Sequence, residues 1–377
     1  MLASVLILLF PVSCDRYTAI ASNLVPRKPN DLQQAKFLPV TQQEQQVDHA
    51  TQLSTEAAVL QAEWKESGFR SAITKYTEAR SAWEFVGRVR ETIRIRMRIG
   101  DCHFILSEFD LALSQFNQAY AASRATGDTL GEVEALNGAC RVLSFTEGDR
   151  QLQATAQRVL TRLQQQHAPL STEFRRTEAE ALCHLGEAYY LRGKLREALI
   201  FYDRALAIST ELGDRQGQAL ARLNRGYALT DAGDPNQATS EFQQALALWQ
   251  ATGERRGFAL TLTAIGGIRT RLSQHLQALD PHYQALEQFQ IIGDRQGAMA
   301  TLNGIASAYE GLSEFPNALG FYLRALQLSR ENRSLNSEAV TSFYLGRIYR
   351  LTNDTTQAAK HLKYSLALSW KLALSKT

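Results

Sequence analysis

Two places in the chain put a thiol next to an imidazole, Cys102-His103 and Cys183-His184. A cysteine nucleophile needs a base within hydrogen-bond reach of its sulfur. Neighbouring residues on a helix point about 100° apart, so neither pair forms a dyad by itself, and both read as structural. His275 and His282 could share a metal, but Pro281 lies between them and no third ligand follows. The chain has no Gly-rich phosphate loop, no His-Glu-x-x-His and no Cys-x-x-Cys. Its acidic residues are spread over faces that read as solvated, without a catalytic pairing. The expectation is a chain with no catalytic residue, no metal and no cofactor.

The elements that would carry these residues are helices. Apolar residues make up 45% of the 377 positions, enough for a continuous core, and charged residues 21%. The net charge of +3 lacks the concentrated basic balance of a nucleic-acid binder. Ala, Leu, Gln, Glu and Arg dominate, and all favour helix. One stretch disagrees: Ile93-Arg94-Ile95-Arg96-Met97-Arg98-Ile99 alternates as a strand would.

The repeat decides that case. Leu185-Gly186-x-x-Tyr189 is followed by Ala198, Tyr202 and Ala205, and a step of 40 residues lands on Gly226, Ala238, Phe242 and Ala245. Further steps reach Gly266, Ala278, His282 and Ala285, then Ala306, Ala318, Tyr322 and Ala325, then Gly346, Ala358, Leu362 and Ser365. Backward, one step of 46 reaches Cys140, and steps of 40 reach Gly100 (with Ala112, Phe116 and Ala119) and Leu60 (with Ala72, Tyr76 and Ala79). Eight copies result, each a helical hairpin with helices A and B. Small residues on helix A admit the neighbouring helix, and the aromatic of helix B fills the space. The stretch from 93 to 105 is then helix A of the second copy. Gly213-Asp214-Arg215-Gln216-Gly217 and its repetition at Gly293-Asp294-Arg295-Gln296-Gly297 join successive copies, the Gly ending one helix and the Asp capping the next.

This spacing resembles the tetratricopeptide repeat over roughly residues 51 to 372, in the longer-helix subtype of kinesin light chains and mitotic-spindle adaptors. It is most similar to bacterial, cyanobacterial-type arrays, including those that precede CHAT-type proteases. The resemblance implies an all-α, right-handed α-α superhelical solenoid whose helix A residues at four marks line a concave groove for a protein or peptide. Carried onto this sequence, those marks give Arg94, Met97 and Asp101, then Asn137 and Arg141, then Glu187 and Tyr190, then Asn303 and Ser307, and Arg347 and Arg350. Asn can pair with an extended backbone through both donor and acceptor, and Arg with a carboxylate. The expected function is a non-catalytic scaffold, with the sensor arm of a truncated or split repeat–effector system as the alternative. Arg90, Arg94 and Arg98 form a basic stripe that an acidic peptide, anionic lipid heads or water alone could meet.

The copies are not uniform. The third has an extra residue at Glu147-Gly148, lacks the aromatic on its helix B (Leu152, Ala156, Val159), and precedes an insertion around Gln164 to Pro169. A break is expected there, separating copies 1–3 (51–168) from copies 4–8 (169–377). Pro281 is expected to interrupt helix B of the sixth copy, with Asp280 capping a restarted helix. At the N-terminus, an apolar run over residues 1–12 is too short to span a bilayer and suits a signal peptide. Ser13-Cys14 after it resembles a bacterial lipoprotein signal, in which Cys14 would carry the lipid. An ordinary secretory signal is the other reading, and a cytoplasmic location follows if the run is neither. Residues 15–50 read as an extended or disordered tether. The C-terminal helix, around Trp370, is expected to leave an apolar face able to self-associate.

Overall fold

The structure, a computed structural model, describes residues 40–146, 149–166 and 171–374. The described residues form sixteen α-helices and no strand. In chain order they are α1 (Val40–Ala62), α2 (Glu66–Phe85), α3 (Val89–Ile105), α4 (Phe109–Thr126), α5 (Thr129–Thr146), α6 (Asp149–Gln164), α7 (Thr172–Leu191) and α8 (Leu195–Glu211). There follow α9 (Arg215–Ala232), α10 (Pro235–Thr252), α11 (Arg255–Arg271), α12 (His275–Ile292), α13 (Arg295–Gly311), α14 (Phe315–Glu331), α15 (Leu335–Leu351) and α16 (Thr355–Leu374). Odd helices are the A helices of eight hairpins and even helices the B helices. Two compact units divide the chain, one ending at His184 and one beginning at Leu185.

Within each unit the same small-against-large packing recurs. In the first, the Phe116 ring of α4 lies so close to α3 and α5 that a Cβ at Gly100 would sit 2.9 Å from it and one at Gly138 2.4 Å. In the second, a Cβ at Gly226 would come 2.3 Å from Phe242, and one at Gly186 2.6 Å from Tyr202. The alanines flanking these rings (Ala112 and Ala119, Ala198 and Ala205, Ala238 and Ala245) are fully buried. The linker glycines have a second use. A Cβ at Gly297 would lie 2.3 Å from Phe289, and one at Gly257 2.5 Å from Trp249, so each admits the end of the preceding B helix. The third copy inverts the scheme: Cys140 stands at the glycine mark and Ala156 at the aromatic mark, with Leu152 and Val159 buried on either side.

The linkers behave as their residues require. Gly213, Gly253 and Gly293 all take positive φ, near 66°, 70° and 76°, a conformation that costs glycine least. Asp294 Oδ1 accepts from Gly297 N at 2.8 Å, and Asp234 Oδ1 from Gln237 N at 3.0 Å beside Pro235 in the first turn of α10. The Ile-Arg-Ile stretch is helix α3. Ile93, Ile95 and Ile99 are buried and Arg94 and Arg98 exposed, because an A helix is enclosed by neighbours on more than one side.

Two expectations are corrected. Helix α1 begins at Val40, so the last part of the segment expected to be extended, 40–50, is helical; residues 15–39, Cys14 and the signal segment lie outside the described residues. Pro281 does not interrupt its helix: α12 runs from His275 to Ile292 with Pro281 buried inside it. The proline has no N–H for the carbonyl of Gln277, and Arg269 Nη1 of α11 donates to that oxygen instead, at 2.9 Å. Asp280, expected to cap a restarted helix, instead accepts from Gln284 Nε2 at 2.9 Å. Part of the expected break, including Pro169, lies outside the described residues.

Candidate functional site

Consecutive odd helices touch one another directly: α3 with α5 in the first unit, and α9 with α11, α11 with α13 and α13 with α15 in the second. Consecutive even helices make no comparable approach among the described residues. Each unit therefore curves with its A helices on the inside, and their outward-turned marks form an inner face.

In the first unit this face is a set of polar rungs. Arg141 Nη2 donates to Asp101 Oδ1 at 2.6 Å, and its Nε lies 3.8 Å from Glu180 Oε1. Its guanidinium also covers the rings of Phe104 and Phe116, 5.8 and 5.5 Å from their centroids. Asn137 is only 1% exposed, and its Nδ2 donates to Thr177 O at 2.9 Å and Glu180 Oε2 at 3.2 Å. Asn137 is thus a strut between α5 and α7 and is not open to a groove ligand. Glu134, beside these rungs, has its carboxyl pushed up by burial and by the charge of Glu180, against the pull of Arg94 and Arg98. Arg94 is exposed, and Met97 is half-buried against Ile93, Ala119 and Ala135.

The second unit repeats the pattern at its two ends. Tyr190 Oη donates to Asp231 Oδ2 at 2.8 Å, and Arg271 Nη1 to Asp231 Oδ1 at 2.7 Å. Burial and the carboxylate of Asp231 push the Tyr190 phenol upward, so it remains a donor. Asn303 Nδ2 donates to Thr341 Oγ1 at 3.2 Å, and Arg347 Nη2 to Glu310 Oε2 at 2.6 Å. Glu187 and Ser307 are half-buried, and Arg350 is exposed. Of the residues named from the sequence, Asp101 meets Arg141 directly; Asn137, Tyr190, Asn303 and Arg347 bond to neighbours on adjacent A helices, and Arg94 and Arg350 are exposed.

The marks of copies five and six, not among the residues named from the sequence, lie between these rungs on the same A helices. Leu220 and Tyr227 on α9 and Leu260 on α11 are partly exposed, packed on the core below. Gly267 on α11 stands at the mark that Tyr227 holds one repeat earlier and Ser307 one repeat later. A Cβ built at Gly267 would meet no atom within 4 Å, unlike those at Gly226 or Gly266, so no packing reason accounts for this glycine. It leaves a gap in the face, one repeat on from Tyr227 and with hydrogen-bonding Asn303 one helix on. The 40-residue register alone would have found these positions.

The two Cys-His pairs that suggested chemistry are buried or paired within the fold. Cys102 is fully buried and its thiol is pushed up to about 12, first by burial and then by Asp101. The adjacent His103 Nδ1 pairs with Glu108 Oε2 at 2.7 Å. Cys183 and His184 are 2% and 5% exposed. His282 lies in the core where five other copies carry Phe or Tyr, wedged between Gly266 and Gly304.

The tetratricopeptide-repeat profiles match residues 60–128, 177–251 and 297–369. No curated protein matches the chain. Among solved structures, a Rap protein complexed with Competence and Sporulation Factor superposes with a TM-score of 0.60 at 13% identity, covering 88% of this chain and 99% of that one. Aspartyl phosphate phosphatase F from Bacillus subtilis gives 0.52 at 11% identity, covering 76% of this chain and 75% of that one. The apo form of the quorum sensor NprR from B. thuringiensis gives 0.51 at 14%, covering 71% and 76%. At these identities the likeness is one of fold. With the profiles matched in three stretches and the hairpin repeated eight times in register, the chain belongs to the tetratricopeptide-repeat family.

Proposed function

We propose that this chain is a non-catalytic scaffold that holds a protein or peptide on the inner face of its A helices, centred on α9, α11 and α13. The observation that carries the reading is Gly267: a helix-interior glycine costs about 0.5–1 kcal/mol relative to alanine, and here no neighbour requires it. An approaching backbone does, since only a residue without a side chain leaves room for main chain beside the apolar marks. Leu220, Tyr227 and Leu260 supply contact area, and the polar rungs on either side supply donors and acceptors. The Rap neighbour in complex with Competence and Sporulation Factor supports ligand binding by a solenoid of this fold. The test is recovery of a crosslinked partner by wild type and by Gly267→Trp, which fills the gap without touching the core. The variant should retain its helicity and lose the partner; equal recovery would sink the proposal.

We also propose that the chain is exported and tethered through Cys14, on the strength of the apolar run and Ser13-Cys14 alone. Metabolic labelling with a fatty acid should mark the wild type and not Cys14→Ala; labelling of both would refute the anchor.

A further inference from the structure

The irregular third copy does something that the inner face does not use. Its B helix α6 carries Ala156 where five other copies carry Phe or Tyr, and between α4 and α6, over α5, the first unit has a cleft of about 690 Å³. Arg124, Arg158 and Arg162 line it together with a single carboxylate, Glu132, a surplus of two positive charges. Glu132 is already engaged: Arg162 Nε donates to its Oε2 at 3.0 Å, while Arg162 Nη2 donates to Thr129 Oγ1 at 3.1 Å. The other two guanidinium groups converge on one neutral oxygen. Arg158 Nη2 donates to Tyr120 Oη at 2.6 Å and Arg124 Nη1 to the same atom at 3.5 Å, with the Arg158 guanidinium 5.1 Å from the Tyr120 ring centroid. Neither is paired with a carboxylate among the described residues.

We propose that this cleft binds a phosphate monoester. Two like charges directed at one phenol oxygen repel each other, and an oxyanion between them turns that repulsion into two charge-assisted hydrogen bonds. Guanidinium groups match phosphate oxygens in pairs, which ammonium groups cannot do. Because Tyr120 Oη accepts from both arginines, its own O–H is left to donate to a third oxygen. The cleft is far larger than a bare phosphate, and Leu136 and Ala154 line it as well, so it has room for an organic body next to the phosphoryl group. Gln157 and Gln165 supply further polar contacts for that body. The site lies on the side of the even helices and does not depend on the inner face being a peptide groove.

The test is titration of the full chain with phenyl phosphate, inorganic phosphate and a phosphoserine peptide, followed by calorimetry and by the shift in melting temperature that a ligand of the folded state produces. Wild type should bind at least one of the two monoesters more tightly than inorganic phosphate; the tighter of the two tells whether the source is a small molecule or a protein side chain. Arg124→Gln and Arg158→Gln should each weaken that binding by about tenfold or more, the loss of one charge-assisted pair. Arg158→Lys, which keeps the charge but loses the fork, should fail to restore it. Both arginines are exposed, so the unliganded variants should melt as wild type does, and Arg204→Gln, exposed on α8, should bind as wild type does. Binding unchanged in both Gln variants, or no binding of either monoester by wild type, would overturn the proposal.

Discussion

A core histidine is the clearest case of a residue whose chemistry is set by its surroundings. His282 is 1% exposed, neither ring nitrogen has a hydrogen-bond partner among the described residues, and burial pulls it down to about 4. Its folded value lies below the unfolded one, near 6.5, so between those values the unfolded chain binds the extra proton. Stability present above pH 6.5 is therefore lost as pH falls through that window. The loss between pH 7 and pH 5 should be about 2 kcal/mol, read from denaturant midpoints. His282→Phe should abolish this component and raise stability at both pH values. The ring would sit between Gly266 and Gly304 much as Phe116 sits between Gly100 and Gly138. Glycines give a second residue-scale contrast. Gly226→Ala should destabilise by about 1–3 kcal/mol, because the new methyl meets the Phe242 ring. Gly267→Ala should stabilise by about 0.5–1 kcal/mol, because it meets nothing. The same sign for both would mean that the two glycines do not differ as their surroundings say.

At the scale of an element, α12 shows how a helix tolerates what its sequence argues against. Pro281 removes one hydrogen bond, and the carbonyl of Gln277 would be orphaned within the helix, but Arg269 reaches it from α11. Arg269→Ala should then cost about 1 kcal/mol in the wild type and little in a Pro281→Ala background, where the backbone N–H returns. Additive losses in the double-mutant cycle would show that Arg269 does not substitute for the missing bond. Local sequence could not disclose this helix, because the compensating side chain comes from the other half of the hairpin. Helix α3 is the opposite case: local alternation pointed to a strand, yet the spacing of Gly100, Ala112 and Phe116 placed it correctly from a distance. The inner-face residues fall between these cases. Register located Asn137 and Arg141, but what they do depends on Thr177, Glu180 and Asp101, brought to them only by the stacking of copies. A single sequence marks the position and leaves the partner unread.

Across the whole molecule, repetition made the fold legible, since an eightfold pattern outweighs any local preference, and departures from it stood out just as plainly. The two functional proposals rest on two of these: Gly267, a glycine without a packing role, and the third copy, whose missing aromatic accompanies an arginine-lined cleft. The apolar members of the inner face stayed hidden because hydrophobicity in a repeat is ordinarily spent on the core, and only their partial exposure separates Leu220, Tyr227 and Leu260 from it. Trp370 and Leu366 on α16, 63% and 59% exposed, present the apolar surface expected there. The central claim, that the A-helix face around α11 receives a polypeptide, is tested most directly by a photo-crosslinking amino acid placed at position 267 and, as a control, at exposed Arg204 on the even-helix side. The account predicts a discrete protein or peptide adduct from position 267 that is absent from position 204 and is competed away by unlabelled chain. No adduct from position 267, or the same adducts from both positions, would contradict it.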